Sequence, residues 1–418
     1  MKASTKDTTR GALCRKRVLH IWYADYPWDV RVQKVILGLR DAGWIVDVIA
    51  RNKKNRCSIE TIDGATVYRL RSLRVLPRSL DALLSLPVFL NPRWIYLIWR
   101  VARRTSPHVI LVRDLPLAPI AVLVGRLRRT AVVLDMAENY PGLMRTLWET
   151  GVARPFDMLL RNPWFASVIE RWVLRRADAI ICVIEESASR VRSLGVPEKQ
   201  VTVVRNTPLI NRENKPRHHK NKGDSLVIAY LGIVEHHRGV HELVQAVAEC
   251  RRRGWLVELL VIGDGLGLQQ VRELAAELEV LDHGVRLLGR VDNKVALDLL
   301  ATADIGAIPH QPCDAWNTTI PNKLFDYMSF GLPVLTSNVI PVQRIVLEEG
   351  CGVCYASGNV QGLVNAIAVL RSSELRQKMG DAGIKAVESK YNWILDARKL
   401  DVALRNVART PRNSTPAR

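Results

Sequence analysis

Residues 320–335, IPNKLFDYMSFGLPVL, combine side chains that suit a phosphorylated sugar ligand. A turn with a proline and Lys323 opens a short amphipathic helix that carries Asp326, and Gly331 ends this helix before a Pro-Val-Leu strand. Helix N-termini attract phosphate through free N–H groups and the helix dipole, and a carboxylate accepts hydrogen bonds from sugar hydroxyls. The stretch therefore predicts a site for a ligand with phosphate at one end and a ribose at the other.

Three earlier segments, 232–239, 263–265 and 289–291, are glycine-containing loops that each follow an apolar run. A glycine-rich loop between a strand and a helix, with a basic residue such as Arg238, suits a diphosphate. One such loop is a weak signal, because glycine turns are common at these places. Four of them in order predict a single nucleotide site.

Apolar runs alternate with helical patterns along most of the chain, which favours parallel sheets covered on both faces. The polar segment 211–224 is typical of a linker, and the length favours two domains. We predict two Rossmann-like domains facing a cleft, with ligands at the carboxyl ends of the strands. The predicted boundaries are 17–210, the linker, 225–390, and a C-terminal amphipathic helix at 391–408 that packs back on the first domain.

The composition, with a net charge of +20 and 48% hydrophobic residues, indicates a globular protein with an anionic partner. Segments 69–104 and 145–176 mix arginine with tryptophan and aliphatic residues, which is typical of a surface lying in a lipid interface. A basic solvated face over core aromatics is the alternative. We expect no membrane-spanning helix and no secretory signal, and the seven scattered cysteines suit a reducing compartment.

The motifs resemble, in their order, those of the family 4 glycosyltransferases, the retaining group with the GT-B fold. The closest similarity is to the bacterial polysaccharide and lipopolysaccharide branch. It runs from about residue 17 to 405 and rests on segments such as LGIVEHHRGV, VIGDG, LLGRV, PNKLFDYMSFGLPV and EEGCGV. The resemblance implies an enzyme that moves a sugar from a nucleotide-sugar donor to a lipid-linked or other glycan acceptor. The N-terminal domain would hold the acceptor and the C-terminal domain the donor.

The resemblance also implies a donor site, position by position. Asp326 stands where the family has the glutamate that binds ribose, and Thr318 where it has a glutamate that contacts the donor sugar. Ile233 replaces the usual arginine of the diphosphate pair, so we expect Lys323 to supply the missing charge beside Arg238. The full predicted donor set is Gly232, Arg238, Gly263, Gly289, Val291, Thr318, Asn322, Lys323, Leu324 and Asp326.

Charged residues near the first strand ends are the candidate acceptor and catalytic groups. The family often has histidine where this chain has Arg113, and a guanidinium cannot act as a base at ordinary pH, so we expect Arg113 to anchor an anion. The alternatives are that Arg31 lies on the surface and that Asp135 and Glu138 only cap loops. The predicted acceptor contacts are Asp29, Arg31 and Arg113, and the predicted catalytic residues are Arg113, Asp114, Glu138, Arg238 and Lys323.

The leaving diphosphate needs positive charge, which metal or protein groups can provide. No Asp-x-Asp triplet occurs in the sequence, and the CxxC at Cys351 and Cys354 has no second pair. We therefore predict no metal and no cofactor besides the nucleotide-sugar substrate. The resemblance implies that the departing phosphate helps to deprotonate the acceptor.

Two other classes of protein stay open at this point. A sugar-nucleotide epimerase shares the GT-B architecture and needs no acceptor. A binding protein, either for nucleic acid or as an inactive homologue, fits the net charge and the departures at Thr318, Ile233 and Arg113. The transferase interpretation predicts no nucleic-acid partner and a cytoplasmic location, peripheral on the inner face of the cell membrane.

Overall fold

The structure is a computed structural model that describes residues 16–149, 162–209 and 225–409, except for 28, 72, 74–77, 85, 87 and 88. The predicted linker at 211–224 and the middle of segment 145–176 lie outside the described residues. The strands are β1 Arg17–Asp25, β2 Ile45–Arg51, β3 Ile59–Ile62, β4 Ala65–Arg69, β5 Val109–Arg113, β6 Ala131–Met136, β7 Ala179–Cys182, β8 Val201–Val203, β9 Leu226–Leu231, β10 Val257–Ile262, β11 Val285–Leu287, β12 Ile305–Ile308, β13 Val334–Ser337 and β14 Gly352–Tyr355.

The helices alternate with these strands. They are α1 Val30–Asp41, α2 Arg78–Leu84, α3 Pro92–Thr105, α4 Ala118–Arg128, α5 Tyr140–Glu149, α6 Pro163–Leu174, α7 Glu185–Ser193, α8 Val240–Arg252, α9 Leu268–Glu277, α10 Asn293–Leu300, α11 Lys323–Ser329, α12 Ile340–Glu349, α13 Val360–Leu370, α14 Ser373–Ser389 and α15 Trp393–Arg409.

The first sheet has eight strands in the order β3-β4-β2-β1-β5-β6-β7-β8. Strands β4, β2, β1, β5 and β6 pair in parallel, and β3 pairs antiparallel with β4. Every residue of β5 is buried, as expected for a parallel strand covered on both faces. The sequence did not predict β3, because this four-residue edge strand is largely exposed and has no apolar run.

The second sheet has six strands, all parallel, in the order β11-β10-β9-β12-β13-β14. Alternate residues of β10 enter two different apolar clusters: Leu259 and Val261 join one, and Leu260 and Ile262 join the other. Side chains alternate across a strand, so the sheet has a core on each face. The two predicted α/β sheets are thereby confirmed.

The chain divides into two compact units. The first unit comprises the described residues of Met1–Asp135, Arg176–Ile180 and Leu400–Arg418, and the second unit comprises those of Met136–Arg175 and Ile181–Lys399. Within the first unit, Trp44 Nε1 donates to Asp401 Oδ1 at 2.6 Å, and Arg405 Nη2 donates to the carbonyl oxygen of Ala42 at 2.7 Å. The end of α15 therefore packs on the connection between α1 and β2, as the sequence predicted for the C-terminal helix.

Candidate functional site

Three of the predicted glycine loops come together at the carboxyl end of the second sheet. The N–H of Gly232 donates to Ile262 at 2.9 Å, and Gly263 forms a bridge with Gly289. Gly263 has a φ of +152°, and a Cβ there would lie 1.9 Å from the carbonyl oxygen of Gly232. Only glycine fits this place, so the loops after β9, β10 and β11 meet in one packed turn.

Lys323 extends beneath this turn. Its Nζ lies 3.9 Å from the centre of the Tyr230 ring, and a Cβ on Gly232 would lie 3.2 Å from the amine. Lys323 is 7% exposed, and its Nζ has no hydrogen-bond partner among the residues that the structure describes. The amine is thus held in place by packing against the aromatic ring, with its hydrogen-bond donors unused by the described residues.

Arg238 and two histidines surround the ring of Trp316. The Arg238 Cζ lies 4.9 Å from the ring centre, and the His310 and His237 rings lie 4.3 Å and 6.2 Å from it. Glu235 approaches Arg238 at 3.5 Å and His237 at 3.3 Å. We call Lys323, Arg238, His237 and His310 the basic cluster.

The electrostatics of the basic cluster favour an anionic ligand. Burial, followed by the charge of Arg238, lowers the pKa of Lys323 well below its usual value, although Asp326 acts in the opposite direction. Burial, followed by the charges of Lys323 and Arg238, lowers the pKa of His310 well below that of a free histidine. His310 is fully buried, and neither ring nitrogen has a hydrogen-bond partner among the described residues. A diphosphate would relieve this repulsion.

Sequence reasoning missed His310 and Trp316. His310 follows Pro309 directly after β12, at the same edge as the glycine loops, and this position was a usable signal. Trp316 lies in a 3₁₀ turn, at Trp316–Thr318, with no periodicity that could have pointed to it.

The start of α11 bears on the expectation that a helix N-terminus holds phosphate. The N–H groups of Leu324 and Phe325 donate to the carbonyl oxygens of Pro321 and Asn322 at 3.1 Å and 3.0 Å, and Asp326 N–H also donates to Asn322, at 3.2 Å. These three N–H groups are not free to hold phosphate, because the first turn closes on itself. The side chain of Leu324 is fully buried in the core. The N–H groups of Asn322 and Lys323, at the start of this seven-residue helix, are not among these three, so phosphate binding at the helix start stays a prediction.

The other predicted donor residues differ in how far they are engaged. Thr318 Oγ1 donates to the Asp314 carbonyl oxygen at 2.7 Å and accepts from Asn139 Nδ2 at 3.0 Å. Asn322 is exposed, and its Oδ1 accepts from Asn206 Nδ2 at 2.7 Å. Asp326 is half-buried on α11. In the predicted base loop, Gly289 has a φ of +66°, while Val291 packs against the core.

A second charged group lies in the first unit, at the ends of β5 and β6. The Arg113 guanidinium lies 3.1 Å from Asp29 and 3.4 Å from Asp114. Burial disfavours its charged form, but Asp114, Asp29, Asp135 and Tyr23 together outweigh burial and raise the pKa of Arg113. Arg113 is a permanent cation, which agrees with the expectation that it cannot act as a base.

Arg31 and Asp135 form a buried pair beside it. Arg31 donates from Nε and Nη2 to the two Asp135 oxygens at 3.0 Å and 2.5 Å, and the two residues are 2% and 1% exposed. Burial would raise the pKa of Asp135, but Arg31 holds it below its usual value. The alternatives of a surface Arg31 and a loop-capping Asp135 are therefore wrong. Glu138 is exposed in the loop after β6 and belongs to the second unit.

The structure corrects the prediction of a lipid-facing surface at one residue of segment 69–104, Trp94. Trp94 is fully buried, whereas Tyr96 and Trp99 of α3 are 59% and 37% exposed. In the other segment Trp164 is 72% exposed. No helix among the described residues is both long and apolar enough to cross a membrane. Within the same ranges, no three His, Cys, Asp or Glu side chains are grouped as metal ligands would be.

Two family models match the chain. One, described as a glycosyl transferase 4-like domain, matches residues 29–207, and the other, described as glycosyl transferases group 1, matches residues 211–386. Together they span most of the sequence. The chain belongs to the glycosyltransferases that have the two-domain, Rossmann-like GT-B fold.

Three curated proteins match part of the chain at 25–28% sequence identity. Glycogen synthase of Mycobacterium tuberculosis is 25% identical over 229 residues, 54% of this chain and 53% of that protein. Phosphatidyl-myo-inositol mannosyltransferase of Mycobacterium leprae is 28% identical over 258 residues, 60% of each chain. A capsular polysaccharide biosynthesis glycosyltransferase of Staphylococcus aureus is 25% identical over 185 residues, 44% of this chain and 47% of that protein. The matches thus span about half to three-fifths of these relatives.

Solved structures show the same fold. Sucrose-phosphate synthase from Thermosynechococcus elongatus aligns with a TM-score of 0.73 at 19% identity, over 94% of this chain and 99% of that chain. Anabaena HepE in complex with UDP-glucose aligns with a TM-score of 0.66 at 14% identity, over 93% and 99% of the two chains. At these identities, the likeness establishes the architecture.

Proposed function

We propose that this protein transfers a sugar from a nucleotide-sugar donor to a lipid-linked or other glycan acceptor, with retention of anomeric configuration, during cell-surface polysaccharide assembly. The observation that carries the proposal is the basic cluster at the glycine loops of the second sheet. The complex of HepE with UDP-glucose supports the donor class. The capsular and phosphatidylinositol-directed relatives support the acceptor class. Retention and membership of family 4 rest on the motif resemblance described above.

The chemistry needs positive charge more than it needs a side-chain base. Breaking the bond between sugar and phosphate builds negative charge on the diphosphate, and in this proposal Arg238 and Lys323 stabilise that charge. In the same proposal Asp326, one turn into α11, accepts hydrogen bonds from the ribose hydroxyls. In this scheme the departing phosphate accepts the proton of the acceptor hydroxyl, so Arg113 need not titrate.

The test is to incubate the purified protein with a panel of sugar nucleotides and lipid-linked acceptors and to analyse the products by mass spectrometry. We expect glycosylated lipid with at least one pair and slow donor hydrolysis without acceptor. Arg238→Gln should lower kcat/KM on the order of 100-fold. The control is Arg253→Gln, at an arginine of α8's C-cap that pairs with Glu249 at 2.6 Å, and it should retain activity. Failure to transfer or hydrolyse any donor would contradict the proposal, and an epimerised donor would favour the epimerase.

We also propose that the enzyme works on the cytoplasmic face of the cell membrane and binds anionic lipid through α3. Tyr96 and Trp99 are exposed there, with Arg100 and Arg103 lying 6.0 Å and 5.5 Å from their respective rings. Arginine beside an interfacial aromatic suits the boundary between headgroups and acyl chains.

Flotation with anionic vesicles measures this association. Binding should fall at high salt, and Trp99→Ser should weaken it several-fold through lost apolar burial. Leu266→Ser, which alters a residue of the second unit that is 82% exposed, is the control and should bind normally. If salt and Trp99→Ser both leave flotation unchanged, the membrane proposal is wrong.

A further inference from the structure

Two members of the basic cluster have unused hydrogen-bonding groups deep in the protein. They are the amine of Lys323 and the ring nitrogens of His310, which have no hydrogen-bond partner among the described residues. A buried polar group without a partner costs about 1–3 kcal/mol. Such a cost is retained at functional sites when a ligand depends on the same groups.

We propose that an anionic diphosphate entering this site is accompanied by protons from solvent, which the amine of Lys323 and the imidazole of His310 accept. The inference rests on the proposed function, because it concerns the same donor site. Each transferred proton forms an N–H bond on Nζ of Lys323 or on a ring nitrogen of His310. The buffer supplies the proton, so the step needs no other reactant.

The charges around the two groups determine the direction of this coupling. Lys323, Arg238 and His237 face His310, and Arg238 also faces Lys323, so further positive charge on either group is disfavoured before the anion arrives. Opposing carboxylates are Asp326, which acts on Lys323, and Glu235, which already contacts Arg238 and His237. A diphosphate brings negative charge to the exposed side of Arg238 and the turn at Gly232. It therefore favours the cationic forms of the buried amine and imidazole through the low dielectric between them.

Isothermal titration of the full-length protein with UDP measures the protons directly. The titration is run between about pH 7 and pH 8, where the terminal phosphate, with a second pKa near 6, is largely ionised. Repeating it in buffers of different ionisation enthalpy gives the number of protons taken up from the slope. GDP and ADP are used in parallel, since the base is not fixed by the site. We expect uptake on the order of one proton per nucleotide, with affinity falling up to about tenfold per pH unit for each proton.

Two variants assign the protons. His310→Gln and Lys323→Met should each reduce the uptake, because each removes one titrating group. His283→Gln is the matched control: this exposed histidine precedes β11 and so lies at the opposite end of the sheet, and its uptake should equal that of the wild type. If a variant binds too weakly, the imidazole nitrogen shifts of His310 in the wild type, with and without UDP, report the same protonation.

The possible results separate the two proposals. Binding with positive uptake that both variants diminish supports the inference. Binding of a nucleoside diphosphate without proton uptake, or with uptake that both variants retain in full, overturns the inference and leaves the proposed transferase standing. No binding of any of the three nucleotides overturns both.

Discussion

His20 offers a sharp test of the electrostatics in the first unit. It is fully buried on β1, and neither ring nitrogen has a hydrogen-bond partner among the described residues. Burial lowers its pKa from 6.5 to about 4, with Asp135 and Asp29 opposing the shift and Arg113 and Arg31 adding to it. His20 therefore stays neutral in the folded protein at pH values where the unfolded chain would take up a proton.

The difference in the pKa of His20 between the folded and unfolded states sets how the free energy of unfolding changes with pH. Because the pKa is lower in the folded state, the stability is intact above about pH 6.5 and is lost as the pH falls toward 4. One pKa unit corresponds to about 1.4 kcal/mol, so the full shift is worth about 3 kcal/mol. Between pH 7 and pH 5 the loss is about 2 kcal/mol.

His20→Gln removes the titration while keeping a polar side chain of similar reach. Urea denaturation at the two pH values, with pulse proteolysis and mass spectrometry to assign the transition to the first sheet, gives the free energy of unfolding. The variant will be less stable at pH 7, because its amide is buried too. The decisive quantity is the difference in free energy of unfolding between wild type and variant. This difference should shrink by about 2 kcal/mol when the pH is lowered from 7 to 5. If that difference stays constant, His20 does not have the depressed pKa, and the reasoning fails.

Asp135→Asn leaves the buried Arg31 guanidinium without its carboxylate and should cost about 3–5 kcal/mol in urea denaturation. The corresponding change Glu198→Gln, at an exposed ion pair, should cost less than about 1 kcal/mol; equal losses would refute the distinction. Gly263→Ala would place a methyl group 1.9 Å from a backbone carbonyl oxygen at a φ of +152°, so thermal denaturation should show a loss of at least about 1–3 kcal/mol and titration should show weakened UDP binding. Gly254 also has a positive φ, but a Cβ there would meet no atom within 4 Å. The loss of stability in Gly254→Ala should therefore be smaller and reflect backbone strain alone, and this variant should bind UDP as the wild type does.

The sequence predicted the second sheet more completely than the first. Strands β9 and β12 coincide with the apolar runs at 226–231 and 305–308, because each run is short and lies between clear turn signals. The pairing of β3 with β4 was not predictable in the same way. Only β4 of this hairpin is mostly buried, and its Asp63-Gly64 turn was the available signal.

Site residues were predictable where a backbone requirement or a motif fixed them. Gly232 and Gly263 follow strands and adopt positive φ, which a sequence can reveal through glycine itself. Trp94 and Trp99 have the same residue type in the same helix, yet one is buried and the other exposed. Their five-residue spacing places them on different sides of α3, which helical periodicity could have shown. Burial of Arg31 was not predictable, because its partner Asp135 lies more than a hundred residues away.

The arginine–carboxylate pairs of the first unit and Lys323 of the basic cluster in the second unit differ in whether the cation already has an ionic partner among the described residues. In the first unit, Arg31 and Arg113 each lie within 3.4 Å of a carboxylate, so an anion placed there would compete with internal partners already in position. In the second unit, the amine of Lys323 rests against an aromatic ring, with its hydrogen-bond donors unused by the described residues. An entering phosphate displaces no such partner from Lys323, and its binding energy need not be spent on breaking an ion pair. We therefore expect the diphosphate at Lys323 and Arg238, and we expect Arg113 to hold Asp29 and Asp114 in place for an acceptor hydroxyl.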